Sequence, residues 1–214
     1  MNAFDASMIA EVHSSLDSAA DAGAIVLTGN RKCLSAGFCL KTMGSYPSPQ
    51  AAELLREGGE LLLRLMALPQ PLVIAVPGHA LALASMILCT GDVRIGASLP
   101  KSKIGLNEVH IGLPLPAFTS PMFRARLSPR HLTRATTLGS IYDPAMALEV
   151  GFLDEVVPAE DLEARATEVA AGLAKLGLQG AHGPFHTTKL FERREVLEAC
   201  ELRLPVDVAS FVSK

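Results

Sequence analysis

One stretch of this 214-residue chain constrains the rest more than any other: residues 71–97, PLVIAVPGHALALASMILCTGDVRIGA. It opens as an aliphatic and β-branched run (Leu72, Val73, Ile74, Ala75, Val76), breaks at Pro77-Gly78 and resumes as small residues up to Gly91-Asp92. That order predicts a buried strand, a turn and a buried helix. A strand feeding straight into a helix aims the free N–H groups of the helix start beyond the sheet edge, where they attract negative charge. Such an arrangement builds a site without naming a reaction.

With 49% apolar and 19% charged residues the chain is long and apolar enough to bury a substantial core, which excludes a disordered protein. A net charge of −3 without a basic run argues against nucleic acid as a partner and leaves a small anion open. The uncharged stretch 67–91 has the length of a bilayer span, but Pro69, Pro71, Pro77, Gly78 and His79 interrupt it, so a buried strand and helix is the preferred reading and no membrane association is expected. Cys33, Cys39, Cys89 and Cys200 form neither a CxxC pair nor a zinc-spaced cluster with the scattered histidines, so no metal is expected. Reduced thiols, and an N-terminus (MNAFDASMIAEV) without the pattern of a signal peptide, lead to the expectation of a cytoplasmic protein.

In chain order, Asp5 or Ser7 can cap a helix carrying Met8, Ile9, Val12, Leu16 and Ala19 at helical spacing. AIVLT at 24–28 is a buried-strand candidate closed by Gly29-Asn30, followed by a short extended piece and a turn at Ser35-Ala36-Gly37. Ser48 and Pro49 should start a helix that runs towards residue 67, weakened or kinked at Gly58-Gly59. Strands are expected at 93–96 and near 103–105, then the glycine and proline loop LNEVHIGLPLP. The remainder predicts helices at 117–126, 129–138 (capped by Ser128), from Asp143-Pro144 to Gly151, 161–176 and 186–202, with FLDEVV as a short strand or extended arm. Strands alternating with helices and then helices alone indicate an α/β core, 1–157, and a helical C-terminal region, 158–214.

Three pieces could carry chemistry. Ser35-Ala36-Gly37-Phe38 is either a plain turn or a place where small residues let the backbone approach a ligand and expose the N–H of Phe38. Residues 78–85 are either tight strand-helix packing or a helix start whose N–H groups, around Leu83 and Ala84, stabilise an oxyanion. Glu108 is either a solvated loop carboxylate or, amid Leu106, Val109, Ile111 and Leu113, a carboxyl of raised pKa suited to carrying a proton. Ser85 follows a strand and turn as a hydrolase nucleophile does, but Leu83 and Ile87 replace the glycines of that elbow. Neither a GxxxxGK[ST] loop nor a GxGxxG fingerprint occurs.

Taken in order, AIVLTGNRKCLSAGFCLKTM, PLVIAVPGHALALASMILCTGDVRIGA, KIGLNEVHIGLPLP and DPAMALEVGFLDEVVP resemble the enoyl-CoA hydratase/isomerase (crotonase) superfamily over nearly the whole chain. The resemblance implies a spiral of ββα turns forming two nearly perpendicular sheets, with C-terminal helices that assemble homotrimers or homohexamers. It also implies an acyl-CoA thioester as substrate, with CoA arriving as part of it and no separate cofactor. Carried over by position, the two N–H donors that hold the enolate fall on Phe38 and Leu83, and Glu108 takes the place of a catalytic glutamate. Cys33, Ala36, Gly37, Lys41 and Met86 are then expected along the substrate, with Lys41 near a phosphate.

The chain departs from the family pattern at several positions. Hydratases of the family use two glutamates, and the first falls on Met86, which cannot exchange a proton. Hydration needs a water held and deprotonated while another proton reaches C2, whereas moving a double bond needs one base, so Glu108 alone favours isomerase-type chemistry. Cys39 stands where an acidic residue is usual and Leu83 where a glycine is; the bulkier Leu83 is expected to narrow the acyl channel or to misplace its N–H. MNAF resembles the point just after the family's first two strands, which are expected to be missing. The alternatives are a catalytically weak acyl-CoA-binding paralogue or subunit and, more distantly, a thioesterase acting through Ser85.

Overall fold

A computed structural model describes residues 2–44 and 46–212. Asp5 caps α1 (Ala6–Ser18), its carboxylate accepting from the N–H of Met8 at 2.9 Å. The strands β1 (Ile25–Leu27) and β2 (Cys33–Ser35) follow, then α2 (Leu40–Met43) and α3 (Pro49–Met66). Ser48 caps α3 through the N–H of Ala51 at 3.1 Å, and Pro49 at the first position lacks an N–H the helix could not have used.

The constraining stretch forms β3 (Leu72–Val76), β4 (His79–Leu81), α4 (Leu83–Leu88) and β5 (Val93–Ala97). After β6 (Ile104–Gly105) come a 3-10 turn at Glu108–Ile111 and another at Ala117–Thr119 that leads into α5 (Ser120–Arg126). The rest is α6 (Leu132–Thr136), β7 (Ile141–Tyr142), α7 (Pro144–Val150), β8 (Glu155–Val157), α8 (Leu162–Gly177) and α9 (Pro184–Ser210).

The strands build two four-stranded sheets, β1-β3-β5-β8 and β2-β4-β6-β7. All pairs are parallel except β6 with β7. Successive pairs β1/β2, β3/β4 and β5/β6 give one strand to each sheet, which is the expected spiral. β3 is buried on both faces, as its unbroken apolar run requires. Leu72, Ile74 and Val76 enter the main core with α3 and α4, while Val73 and Ala75 pack with Ile95 and Ala97 against Leu162, Ala166 and Ala170 of α8.

Four local expectations change. His79–Leu81 is a strand rather than part of the turn, because Ala80 N–H reaches Lys103 O at 2.9 Å and pairs it with β6. β7 was not foreseen either; two residues carry no periodicity and take their extension from β6. The helix expected at 129–138 shrinks to α6, since the N–H of Ser128 bonds Val150 O at 2.9 Å and Ser128 caps nothing. α3 passes through Gly58-Gly59 as one helix: a Cβ on Gly58 would lie 2.4 Å from the Phe38 ring and one on Gly59 2.5 Å from Leu204, so both glycines are packing notches.

α9 is anchored by charge as well as by apolar contact. Asp92 accepts from Lys189 Nζ and Arg193 Nη2, each at 2.7 Å, and Arg193 also bonds the carbonyls of Met66 and Thr90 at the ends of α3 and α4. Its far end brings Phe211 onto Tyr46, ring centroids 4.5 Å apart, beside the site described next. Among the described residues, no helix is long and apolar enough to cross a membrane.

Candidate active site

The turn after β2 is fixed by Ser35, whose hydroxyl donates to Asn2 O at 2.5 Å and accepts from the N–H of Gly37 at 2.9 Å. Gly37 has φ +92°, a conformation that suits glycine, and its carbonyl accepts from Phe4 N–H at 2.8 Å. Ala82, just before α4, turns the chain with φ +53° and ψ −122°. The two turns abut: a Cβ on Gly37 would sit 2.7 Å from Ala82 Cβ and 3.3 Å from Leu83 N. Neither Phe38 N–H nor Leu83 N–H meets an acceptor among the described residues. Two free donors on neighbouring turns form an arrangement suited to an oxyanion.

These turns border a cavity that opens to solvent, lined by Ala36, Phe38, Ala82, Met86, Asn107 and Glu108, with Leu40, Met43, Leu55, Ile111, Leu113, Pro114, Pro116 and Phe211 around them. Among the described residues, Glu108 is its one ionisable lining residue. It stands at the start of the 3-10 turn, 7% exposed, with Oε2 buried and unpartnered. Burial pushes its pKa up to about 7, opposed weakly by a backbone N–H. Asn107 Oδ1 is a second orphaned acceptor. Met86, 2% exposed, offers no proton to the same space.

Each anticipated residue can now be placed. Phe38, Ala36 and Met86 line the cavity, Gly37 holds the turn behind it, and Cys33 lines a neighbouring groove. The Leu83 side chain does not narrow the channel, contrary to expectation: it is fully buried in the core near Gly58 and does not line the cavity. Lys41 is exposed on α2 and borders neither space. Cys39 begins α2, where the N–H groups of Thr42 and Lys41 lower its thiol pKa. Ser85 is fully buried with its hydroxyl committed to Ala80 and Gly105, which removes the nucleophile reading.

Several features escaped the sequence. An open groove of about 1500 Å³ shares Ala36 with the cavity and is bordered by Arg31, Lys32, Lys101, Lys103 and His79. The cations were visible as two short clusters, but only the β2-β4-β6 pairing puts them on one rim. Gly58 seats the Phe38 ring, and Phe211 comes from the far end of the chain to line the cavity. No local signal announces either.

Two sheets wound turn by turn and closed by C-terminal helices, with abutting turns at Gly37 and Ala82 beside a cavity that holds a buried carboxylate, define a crotonase-type protein. The profile of the enoyl-CoA hydratase/isomerase family matches residues 1–182, and the chain belongs to that family. It is 31% identical over 193 residues to human mitochondrial enoyl-CoA delta isomerase 1, covering 88% of this chain and 62% of that protein. It is equally 31% identical over 211 residues to a probable enoyl-CoA hydratase of Mycobacterium tuberculosis, covering 91% and 79%. The solved structure of an enoyl-CoA isomerase of M. tuberculosis superposes with a TM-score of 0.88 at 34% identity, covering 97% of this chain and 88% of that one. The match to the mouse enoyl-CoA delta isomerase 1 spans only 47% of that protein's length.

Proposed function

We propose that this chain is an enoyl-CoA isomerase that moves a double bond from C3 to C2 of an acyl-CoA thioester. The observation that carries the reading is that Glu108, buried and poised near neutrality, lines a cavity with no second ionisable group among the described residues. The thioester carbonyl would sit between Phe38 N–H and Leu83 N–H. Ionised Glu108 takes a proton from C2, the electron pair spreads onto the carbonyl oxygen as a dienolate, and the two N–H groups hold the developing charge. The same carboxyl returns the proton at C4, so one bond to hydrogen breaks, one forms and Glu108 ends as it began. The apolar lining suits the acyl chain, and the basic groove beyond Ala36 suits the phosphates of CoA better than exposed Lys41 does.

No metal or redox group enters this scheme. Self-association into trimers or hexamers is proposed through the C-terminal helices, where Phe191, Leu202 and Val206 of α9 are more than half exposed. Buried Cys89 and Cys200, both thiols, suit a cytoplasmic location.

A spectrophotometric comparison of 3-enoyl-CoA isomerisation with 2-enoyl-CoA hydration tests the proposal, with Met86→Glu beside the parent. Isomerisation should dominate in the parent, and a second carboxyl should raise hydration by about 100-fold, the low end of what one placed acid-base group contributes. A folded Met86→Glu protein with unchanged hydration refutes the assigned roles. Thioester binding without turnover is the second reading, favoured by the Ala82 methyl that lines the cavity on a strained turn. Tight binding with no activity that Glu108→Gln could remove would select it.

A further inference from the structure

Ser85 has no part in the proposed chemistry, yet it lies where the elements of the site meet. It sits on α4, two residues after Leu83 and one before Met86, and is fully buried. Its oxygen accepts from Gly105 N–H at 2.9 Å, and it lies 2.7 Å from Ala80 O and 3.1 Å from Gly105 O. A hydroxyl has one proton to give, so the shorter contact, to Ala80 on β4, is the donated bond. Gly105 O is held as well by Ala82 N–H at 3.0 Å. A single oxygen thereby ties α4 to both β4 and β6.

Both halves of the reaction depend on that tie. Ala82 holds its positive φ directly before Leu83, and its N–H is pinned to Gly105. Gly105 is three residues before Glu108 and is itself confined: its φ is +151°, and a Cβ there would meet Ser140 O at 2.7 Å. The short span from Gly105 to Glu108 transmits any movement of β6 to the base.

We propose that Ser85 is a positioning residue that fixes the Leu83 N–H and the Glu108 carboxyl relative to each other. The inference rests on the isomerase reading of the site. Removing the hydroxyl leaves the Gly105 N–H without its acceptor, and β6 moves away from α4. The bond from Ala80 N–H to Lys103 O, which holds β4 and Lys103 together at the rim of the basic groove, does not use the Ser85 hydroxyl and is kept.

The test measures isomerase kcat per thioester-binding site, so that loss of folded protein does not count, in Ser85→Ala and Ser85→Cys. Displacing a reacting group by about 1 Å costs on the order of 100-fold, so Ser85→Ala should lose about 30- to 100-fold in kcat with KM within about threefold. Ser85→Cys, whose thiol bonds more weakly, should fall between Ser85→Ala and the parent. A Ser85→Ala kcat within about threefold of the parent overturns the proposal whatever its melting temperature. Should Ser85→Ala not fold, an undiminished kcat in Ser85→Cys overturns it. If the parent has no turnover, the isomerase reading fails separately. The clamp then stands or falls on amide exchange: Ala82 and Gly105 must lose protection together in the variant that folds, and retained protection overturns it.

Discussion

Glu108→Gln removes a charge while keeping the shape of the side chain, and its two consequences have opposite signs. Activity should be lost, because Gln can neither take nor return a proton; a loss of at least about 100-fold in kcat is the minimum for a working acid-base group. Stability should rise, but only where the parent carboxyl is ionised. Below pH 4.5 Glu108 is protonated in both folded and unfolded chains, and the substitution changes little. Between 4.5 and about 7 the unfolded chain ionises first, so the parent loses stability as pH rises; above about 7 the deficit is constant. A pKa raised from 4.5 to about 7 corresponds to about 3 kcal/mol at most. For a domain of this size that is on the order of 6–12 °C in Tm. Melting curves of parent and variant at pH 4 and pH 8 should therefore nearly coincide at the first and separate at the second. A separation independent of pH would refute burial as the cause of the raised pKa. Retained turnover would refute the role of Glu108 altogether.

Gly58→Ala should lower both stability, by about 1–3 kcal/mol, and kcat, because its Cβ collides with the Phe38 ring; Gly59→Ala, which meets the Leu204 side chain away from the cavity lining, should lower stability alone, and an equal loss of kcat in both variants would contradict the Phe38 notch. Ala82→Gly should stabilise the fold by about 1 kcal/mol, since it relieves positive-φ strain at a smaller cost in unfolded-chain entropy; a less stable variant in denaturant titration would show the turn to be unstrained. Asp92→Asn should destabilise by about 3 kcal/mol by leaving the buried cations Lys189 and Arg193 without their counter-charge, and a change below about 1 kcal/mol in the same titration would assign α9 docking to apolar packing.

The sequence by itself determined the parts whose causes are local. The caps at Asp5, Ser48 and Asp143 start helices where expected, and the run from Leu72 to Val76 could only be a doubly buried strand. Order and spacing of the motifs carried the family and pointed to Phe38, Leu83 and Glu108. What it misjudged or left open depends on neighbours distant in the chain. The same composition around Leu83 fits a blocked channel or an open one, and the packing of its side chain towards Gly58 decides. Glycines at 58 and 59 look like helix breakers until Phe38 and Leu204 fill the space above them. Glu108 is chemically ambiguous in its own loop; burial beside α4 raises its pKa and leaves Oε2 unpartnered. Periodicity and capping act over one turn of chain, whereas desolvation and convergence on a cavity are properties of surfaces brought together. The tertiary structure alone, through pairings such as that of β4 with β6, decides them.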